Sequence, residues 1–491
     1  VQYFWYLFAA IAMLMGWNAL WHLSDTFVRD CDEARYGVAA SEMLHAHSLL
    51  VTTYAGATEF WNLKPPLGYW LLELAYLVAG ETPLALRLPA ALCALATTAL
   101  TMLMARRAAG TGAALLAGLV LTTSFGFLGH HGARSGELDA PLTLLLFLFV
   151  SLAPRLFDHR QARLAAGLVL ALGFLLKSFA ILPFVAAVVV YGLMTRGVAS
   201  WRAWPLPAAI TVATAATWAI ARSVAEGSWE FARRMFVEDL FLRSTTMIDE
   251  GRAASVWDYV GGLADRLAPW PLLVLIAFFL CRGFARRRLA GDLGTLLGCY
   301  ALVPLLLFTA ARTHHFWYII PTYPAWAILG AVATQELIER AERFSIAGPV
   351  TAAVLVLSLL AGEARIVTHA TLHDRLPPSQ VFLASLHDSP RAGSAVIRTA
   401  FTPSYSERFF LQVVDGFQLQ ELDSHELSLL SQASDKPSLL LIRRSGTESA
   451  PGAMDPVRTT LLAQSDDYTL VRWFPPLVKG HIANSDWVGT E

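Results

Sequence analysis

"GARSGELDAPLTLLLFLF", Gly132 to Phe149, sets Arg134, Glu137 and Asp139 directly ahead of a nearly unbroken apolar run. A run of that density reads as a membrane span. Charges at the mouth of a span are costly unless they are paired or functional, so this stretch implies both a membrane protein and a polar site at one face of it. The whole chain agrees. Of its 491 residues 55% are hydrophobic and only 15% charged, against about 25% charged in a soluble domain. A net charge of −1 offers no basis for nucleic-acid binding. Cys31, Cys93, Cys281 and Cys299 are scattered, without metal-ligand or redox spacing, so no disulfide framework is expected. Lysine is scarce: only Lys64, Lys177, Lys436 and Lys479 occur among 37 basic residues.

The fold expected is an α-helical polytopic membrane protein with a small C-terminal soluble α/β domain. Spans of about 20 residues are expected near 2–22, 84–105, 112–129, 139–154, 163–177, 178–195, 204–221, 257–281, 292–310, 316–333 and 346–362, about eleven crossings. The first run, Tyr3 to Trp21, lacks a basic leader and a small-residue cleavage site, so it is expected to be retained. Basic residues in short loops mark the cytoplasmic side. With a cytoplasmic N-terminus, Arg106 and Arg107, Arg155 and Arg160, Arg196 and Arg202, the cluster Arg282, Arg286, Arg287 and Arg288, and Arg340 and Arg343 all fall inside. The membrane domain then covers 1–362, with outer loops at 23–83 and 222–256. The soluble domain, 363–491, falls outside, with β-like runs "SAVIRTAF" (Ser394–Phe401) and "YTLVRWF" (Tyr468–Phe474).

The first outer loop opens with "RDCDEARYGVAASEML", Arg29 to Leu44. Asp30 and Glu33 fit a capping box. Asp32 falls in the first helical turn, where the dipole favours a carboxylate. Tyr36, Ala40, Met43 and Leu44 continue one stripe, so the helix is expected to lie on the membrane surface, apolar side down. Asp32 suits a general base, or is a solvated first-turn acid. Lys64, held extended by Pro65 and Pro66, is an interfacial anchor or a phosphate ligand. Asp139 stands at a span mouth, Arg243 in an aromatic and apolar setting, and Arg312, His314, His315 and Tyr318 in a later outer turn.

Taken together, "CDEARYGVAASEML", "LKPPLGYW", "GELDAPLTLLL", "LFLRSTT" and "RTHHFWYIIPTYPAWAILGA" resemble the successive motifs of GT-C membrane glycosyltransferases, in the branch of the lipid A aminoarabinose transferases and relatives of the protein O-mannosyltransferases. The resemblance covers roughly residues 1–345. It implies transfer of a sugar from a polyprenyl phosphate with inversion at the anomeric carbon. It places catalytic roles on Asp32 and Asp139, donor-phosphate binding on Lys64, Arg243 and Tyr318, and substrate contact on Tyr36. The aminoarabinose branch usually has Glu immediately before this lysine; here Leu63 stands there, with Glu59 or Asn62 as the substitute, and Glu33 is a further substrate-contact candidate. The acceptor implied is a lipid or glycolipid similar to lipid A, at the periplasmic face of a bacterial inner membrane. No cofactor is expected. A divalent cation between a His pair (His130–His131 or His314–His315) and Asp32 or Glu137 is the alternative, set aside because adjacent histidines on a helix diverge. Lys177 reads as a snorkelling anchor, and Trp61, Tyr69, Trp70 and Trp317 as an interfacial belt. The rival functions are protein O-mannosylation, solute transport, and a sensor whose tail binds a ligand. Transport is disfavoured because the polar cluster lies at one face and no internal repeat is visible.

Overall fold

A computed structural model of the chain describes residues 2–242, 245, 257–280, 289, 291–341, 347–386, 396–399, 401–422, 438–444 and 459–473. Arg243, the arginines at 282–288 and Arg343 lie outside them. The chain divides into two compact units. One comprises Val1–Val28 and Asp32–Arg375, the other Arg29–Cys31 and Leu376–Glu491. Each is described in its own right.

The first unit is helical. It contains α1 (Gln2–Leu20), α2 (Asp32–His45), α3 (Leu67–Ala79), α4 (Pro83–Thr122), α5 (Phe125–Leu128), α6 (Asp139–Leu156), α7 (Arg160–Lys177), α8 (Leu182–Arg196) and α9 (Pro205–Glu226). Later helices run over Asp258–Leu267, Trp270–Leu280, Leu293–Ala310, Tyr323–Ala341 and Ala347–Thr368. Among the described residues eight helices are long and apolar enough to cross a membrane, or nine if the pair Asp258–Leu267 and Trp270–Leu280, bent by 105°, counts as one. Two of the eight contain breaks close to where the sequence divided its spans. Gly110 interrupts α4 at φ 88°, a left-handed conformation that glycine adopts without a Cβ clash. Ser178, at φ 46°, separates α7 from the turn leading into α8.

Apolar lipid gives helices no hydrophobic reason to associate, so close approach and dispersion must hold them. The buried side of α4 is correspondingly small: Ala85, Ala90, Ala94, Thr97, Thr101, Ala105, Ala113 and Ala117. It packs against α1 and against Tyr323–Ala341, which contributes Ala327, Ala331 and Ala333, all fully buried.

Between α1 and α4 lies the first long connecting segment, and buried arginines pin it. Arg87, 1% exposed, donates to the Glu33 carboxylate at 2.7 Å and to the carbonyls of Leu23, Thr26 and Phe27 at 2.8, 2.9 and 2.8 Å. Arg134 ties the carbonyls of Asn18 and Trp21, both at 2.8 Å. Arg222 donates to the Leu50 carbonyl at 2.8 Å and lies over the Phe231 ring. These forks satisfy carbonyls at a helix end and in a loop that would otherwise be buried unpaired.

Helix α2 does not lie on a surface. It buries Glu33, Ala34, Tyr36, Gly37, Val38, Ala39, Ala40, Ser41 and Met43, which fall on every side of the helix. The apolar stripe seen in the sequence was real, but Gly37, Ala39 and Ser41 are small enough to bury the other faces as well.

The second unit holds a five-stranded sheet: β1 (Val396–Thr399), β2 (Gln418–Glu421), β3 (Ser438–Arg443), β4 (Thr459–Gln464) and β5 (Tyr468–Trp473), in the order β2-β1-β3-β5-β4. β1 pairs parallel with both β2 and β3, and the β3–β5 and β4–β5 pairs are antiparallel. Both runs singled out as β-like are strands, β1 and β5. Leu422, Leu440, Ile442 and Val471 form a core cluster. Ser404 opens Tyr405–Arg408 with a capping box to Glu407. The Glu407 carboxylate also takes Arg443, at 2.6 Å, and the Tyr468 hydroxyl. Asp30 belongs to this unit, accepting the Ser406 N–H at 2.7 Å. The boundary expected after residue 362 falls instead between Arg375 and Leu376, because the last long helix continues through Thr368 and a wider π turn to His373.

Candidate active site

Lys64 stands at the end of a braced segment. The Glu59 carboxylate accepts the N–H groups of Trp61 and Asn62 at 2.6 and 3.1 Å and the fork of Arg35 at 2.8 and 2.9 Å. Arg35 in turn lies over the rings of Tyr54 and Trp61. Two prolines then lead into α3. The Lys64 ammonium, 7% exposed, reaches Asp239 at 2.7 Å. Asp239 lies on a π-helical segment, Met235–Leu242, and also accepts from the Ser178 hydroxyl at 3.1 Å.

Asp139 is the first residue of α6, where the helix dipole favours a carboxylate. Lys177 is the last residue of α7, where the dipole favours a cation. The two ends meet: Lys177 Nζ is 2.6 Å from Asp139 Oδ1. The other Asp139 oxygen lies 3.3 Å from His131 Nδ1.

Lys64, Asp139, Lys177, Ser178, Asp239, Thr313 and Tyr318 line one cavity of about 240 Å³. Its remaining walls are apolar and include Phe179, Leu182, Phe184, Leu307 and Phe308. A small polar floor in an apolar wall suits an amphiphile with an anionic head. Each ammonium is matched by a carboxylate, and an incoming anion can compete for the same donors.

Of the residues named from sequence, Lys64, Asp139 and Tyr318 are brought together. Asp32, Tyr36, Glu33 and Glu59 are not among the lining residues, and Arg243 lies outside the described residues. Glu33 is an internal tie, 1% exposed, accepting from Arg87 and from the Gly136 N–H at 2.8 Å. Glu59 braces its own loop. Tyr36 is buried against Tyr69 and reaches Asn62 at 3.4 Å. Burial, and next the nearby Asp32 charge, push its phenol well above the usual range, so it is a neutral hydroxyl. Asp32 makes no hydrogen bond or ion pair among the described residues, while its charge is felt at Tyr36 and Asp139.

Sequence reading missed Lys177, Ser178 and Asp239. For Lys177 a signal existed: two of the four lysines in the chain line this one cavity. Asp239 stood four residues before Arg243, the residue that drew attention instead.

Comparisons with known proteins bear on the fold and the class of relatives. Residues 63–224 match the family model described as dolichyl-phosphate-mannose-protein mannosyltransferase. An undecaprenyl phosphate-α-4-amino-4-deoxy-L-arabinose arabinosyl transferase from Pseudomonas savastanoi is 28% identical over 72% of this chain and 64% of its own length. An uncharacterised protein of Aquifex aeolicus is 27% identical over 74% of the chain and 69% of its own. The chain thus spans just under two thirds of the length of the Pseudomonas enzyme. The crystal structure of ArnT from Cupriavidus metallidurans bound to undecaprenyl phosphate superposes with a TM-score of 0.72, at 18% identity, over 95% of this chain and 97% of that one. The chain has the GT-C fold, and it resembles the undecaprenyl-phosphate aminoarabinose transferases, a class of polyprenyl-phosphate-dependent membrane glycosyltransferases.

Proposed function

We propose that the chain is a polyprenyl-phosphate-dependent glycosyltransferase that passes a sugar, with inversion, to a lipid or glycolipid acceptor at the outer face of the inner membrane. The observation that carries this reading is the pair of buried ammonium–carboxylate contacts, Lys64–Asp239 and Lys177–Asp139, on the floor of an apolar cavity. As the anomeric C–O bond breaks, the departing prenyl phosphate gains negative charge. Cations already fixed beside it stabilise the transition state more than the ground state. The aromatic and aliphatic wall suits the first isoprene units. Tyr318 adds a phenol on the same wall.

The attacking group is an acceptor oxygen that forms the new bond to the anomeric carbon. Asp32, without a hydrogen-bonded partner among the described residues, is the carboxylate available to take a proton from it or to orient it. Asp139 positions Lys177. The relatives named as undecaprenyl phosphate-aminoarabinose transferases support the polyprenyl-phosphate donor, and the mannosyltransferase family model supports a polypeptide acceptor as the second reading.

Transfer from a synthetic polyprenyl-phosphate sugar in detergent tests the reaction class. Asp32→Asn, Lys64→Ala and Lys177→Ala are each expected to lower turnover by about two orders of magnitude or more, with the protein still monodisperse. Near-normal turnover in all three would end the assignment. Solute flux without chemical change would favour the transporter. Mass spectrometry of envelope lipids and secreted proteins, with and without the gene product, separates the two acceptors.

A further inference from the structure

The stretch just ahead of α6 carries three side chains that the reaction above does not use: His130, His131 and Glu137. Adjacent histidines on a helix diverge, but these are not on a helix. They sit in a turn in which His131 has φ 61°. Gly132 follows, so close to the chain that a Cβ there would stand 2.2 Å from the Phe127 carbonyl oxygen. The turn brings both imidazoles to one side, with ring centroids 4.2 Å apart.

Glu137 completes the group. One ligand atom from each of the three residues lies within 4.8 Å of the other two. His130 Nε2 is 3.7 Å from Glu137 Oε1, and His131 Nδ1 lies directly against Glu137 Oε2. The His131 and Glu137 side chains are only 5% and 3% exposed, while His130 is 30% exposed and leaves a route from solvent. The Trp317 ring stacks on His131 at 3.8 Å and 11° and fixes its plane. The charge balance points the same way. Glu137 and Asp139, both buried, flank His131, and Lys177 pairs with Asp139 alone of the two. Two carboxylates closing on one imidazole edge call for further positive charge there.

We infer that His130, His131 and Glu137 form a binding site for one divalent transition-metal ion of the zinc type. Two imidazole nitrogens and a carboxylate oxygen are a recognised three-ligand zinc set that keeps a fourth position open. Asp139 Oδ2, 3.3 Å from His131 Nδ1, stands beside that position. An ion there would fix the turn from which Asp139 and α6 emerge. Metal retention does not depend on the transferase reading, because binding is measured without any sugar donor.

The experiment uses the full chain in detergent, stripped with chelator and dialysed against Zn²⁺. Metal content is then measured by mass spectrometry. About one zinc per chain is expected, falling by at least fivefold in Glu137→Gln and in His130→Asn. Both variants keep a polar side chain at the position; an unchanged size-exclusion profile and thermal midpoint in chelator check that the protein remains folded. X-ray absorption on the zinc-loaded protein is expected to show nitrogen and oxygen neighbours only, at about 2.0–2.2 Å, with imidazole scattering. Less than a fifth of a zinc per chain overturns the inference, as does zinc that both variants retain or a sulfur neighbour in the absorption spectrum.

Discussion

Two regions of the helical unit, the surroundings of α2 and the floor of the cavity, carry similar chemistry and use it in opposite ways. Around α2, the acids are tied to guanidinium groups: Glu33 to Arg87, and Glu59 to Arg35. Each carboxylate also accepts backbone N–H groups. At the cavity the acids meet ammonium groups: Asp239 takes Lys64 and Asp139 takes Lys177. A guanidinium fork fixes geometry along two directions, whereas an ammonium is a point charge on a flexible stem. The arginine pairs hold the loop's shape, and the lysine pairs, on the function proposed above, are the cations that would meet another anion.

The largest test of this contrast is its split between activity and stability. Lys64→Ala or Lys177→Ala should cut transfer about 10²-fold to 10³-fold in protein that stays monodisperse, although each also gives up some stability by leaving a buried carboxylate without its ammonium. Arg87→Met should strand the Glu33 carboxylate and cost about 3–5 kcal/mol of stability, seen as loss of monodisperse protein. If Arg87→Met stays folded and only slows transfer, the division between the two regions is wrong. Glu59→Gln comes next. It keeps an acceptor for the Trp61 and Asn62 N–H groups but loses the charged bond to Arg35, so about 1.5–3 kcal/mol of stability is at stake, read from a denaturation midpoint. A raised KM for donor at unchanged stability would instead return Glu59 to the substrate. Tyr36→Phe removes only a long hydrogen bond, and a stability change near 0.5 kcal/mol is expected; a turnover loss above tenfold would give the phenol a chemical role.

The smallest effect concerns a carboxylate of a third kind. Glu73 on α3 is 9% exposed and forms no ion pair or hydrogen bond among the described residues. Burial pushes it up to about 7 from an ordinary 4.5. The folded chain therefore binds a proton that the unfolded chain has released, and stability falls as pH rises from about 4.5 through about 7. Glu73→Gln should flatten this slope and slightly raise the thermal midpoint at pH 8. An unchanged pH profile would mean that Glu73 has a partner after all.

Much of this was legible in the sequence. Apolar runs located the helices, the breaks near 110 and 178 were anticipated as span divisions, and alternation identified β1 and β5. Lys64, Asp139 and Tyr318 stand at the edges of apolar runs, where a charge or phenol is unexpected, but their site roles came from the resemblance to GT-C glycosyltransferases; the structure brings the three to one cavity. The misreadings share one cause: pattern within a segment does not show what another segment brings to it. Glu33 looked like a cap until Arg87 arrived from α4. Lys177 looked like an anchor until Asp139 met it across two helix ends. The His130–His131 pair looked divergent because a helical period was assumed where the backbone turns.

The kink at Ser178 has a consequence for how substitutions spread. Lys177 and Ser178, consecutive in the chain, reach Asp139 and Asp239 respectively. One peptide unit therefore sets the distance between two acids carried on separate elements. A bulkier β-branched side chain at 178, strained at φ 46°, would drag both ends of that gauge together, so mutational damage on either flank of the pocket should travel as a pair.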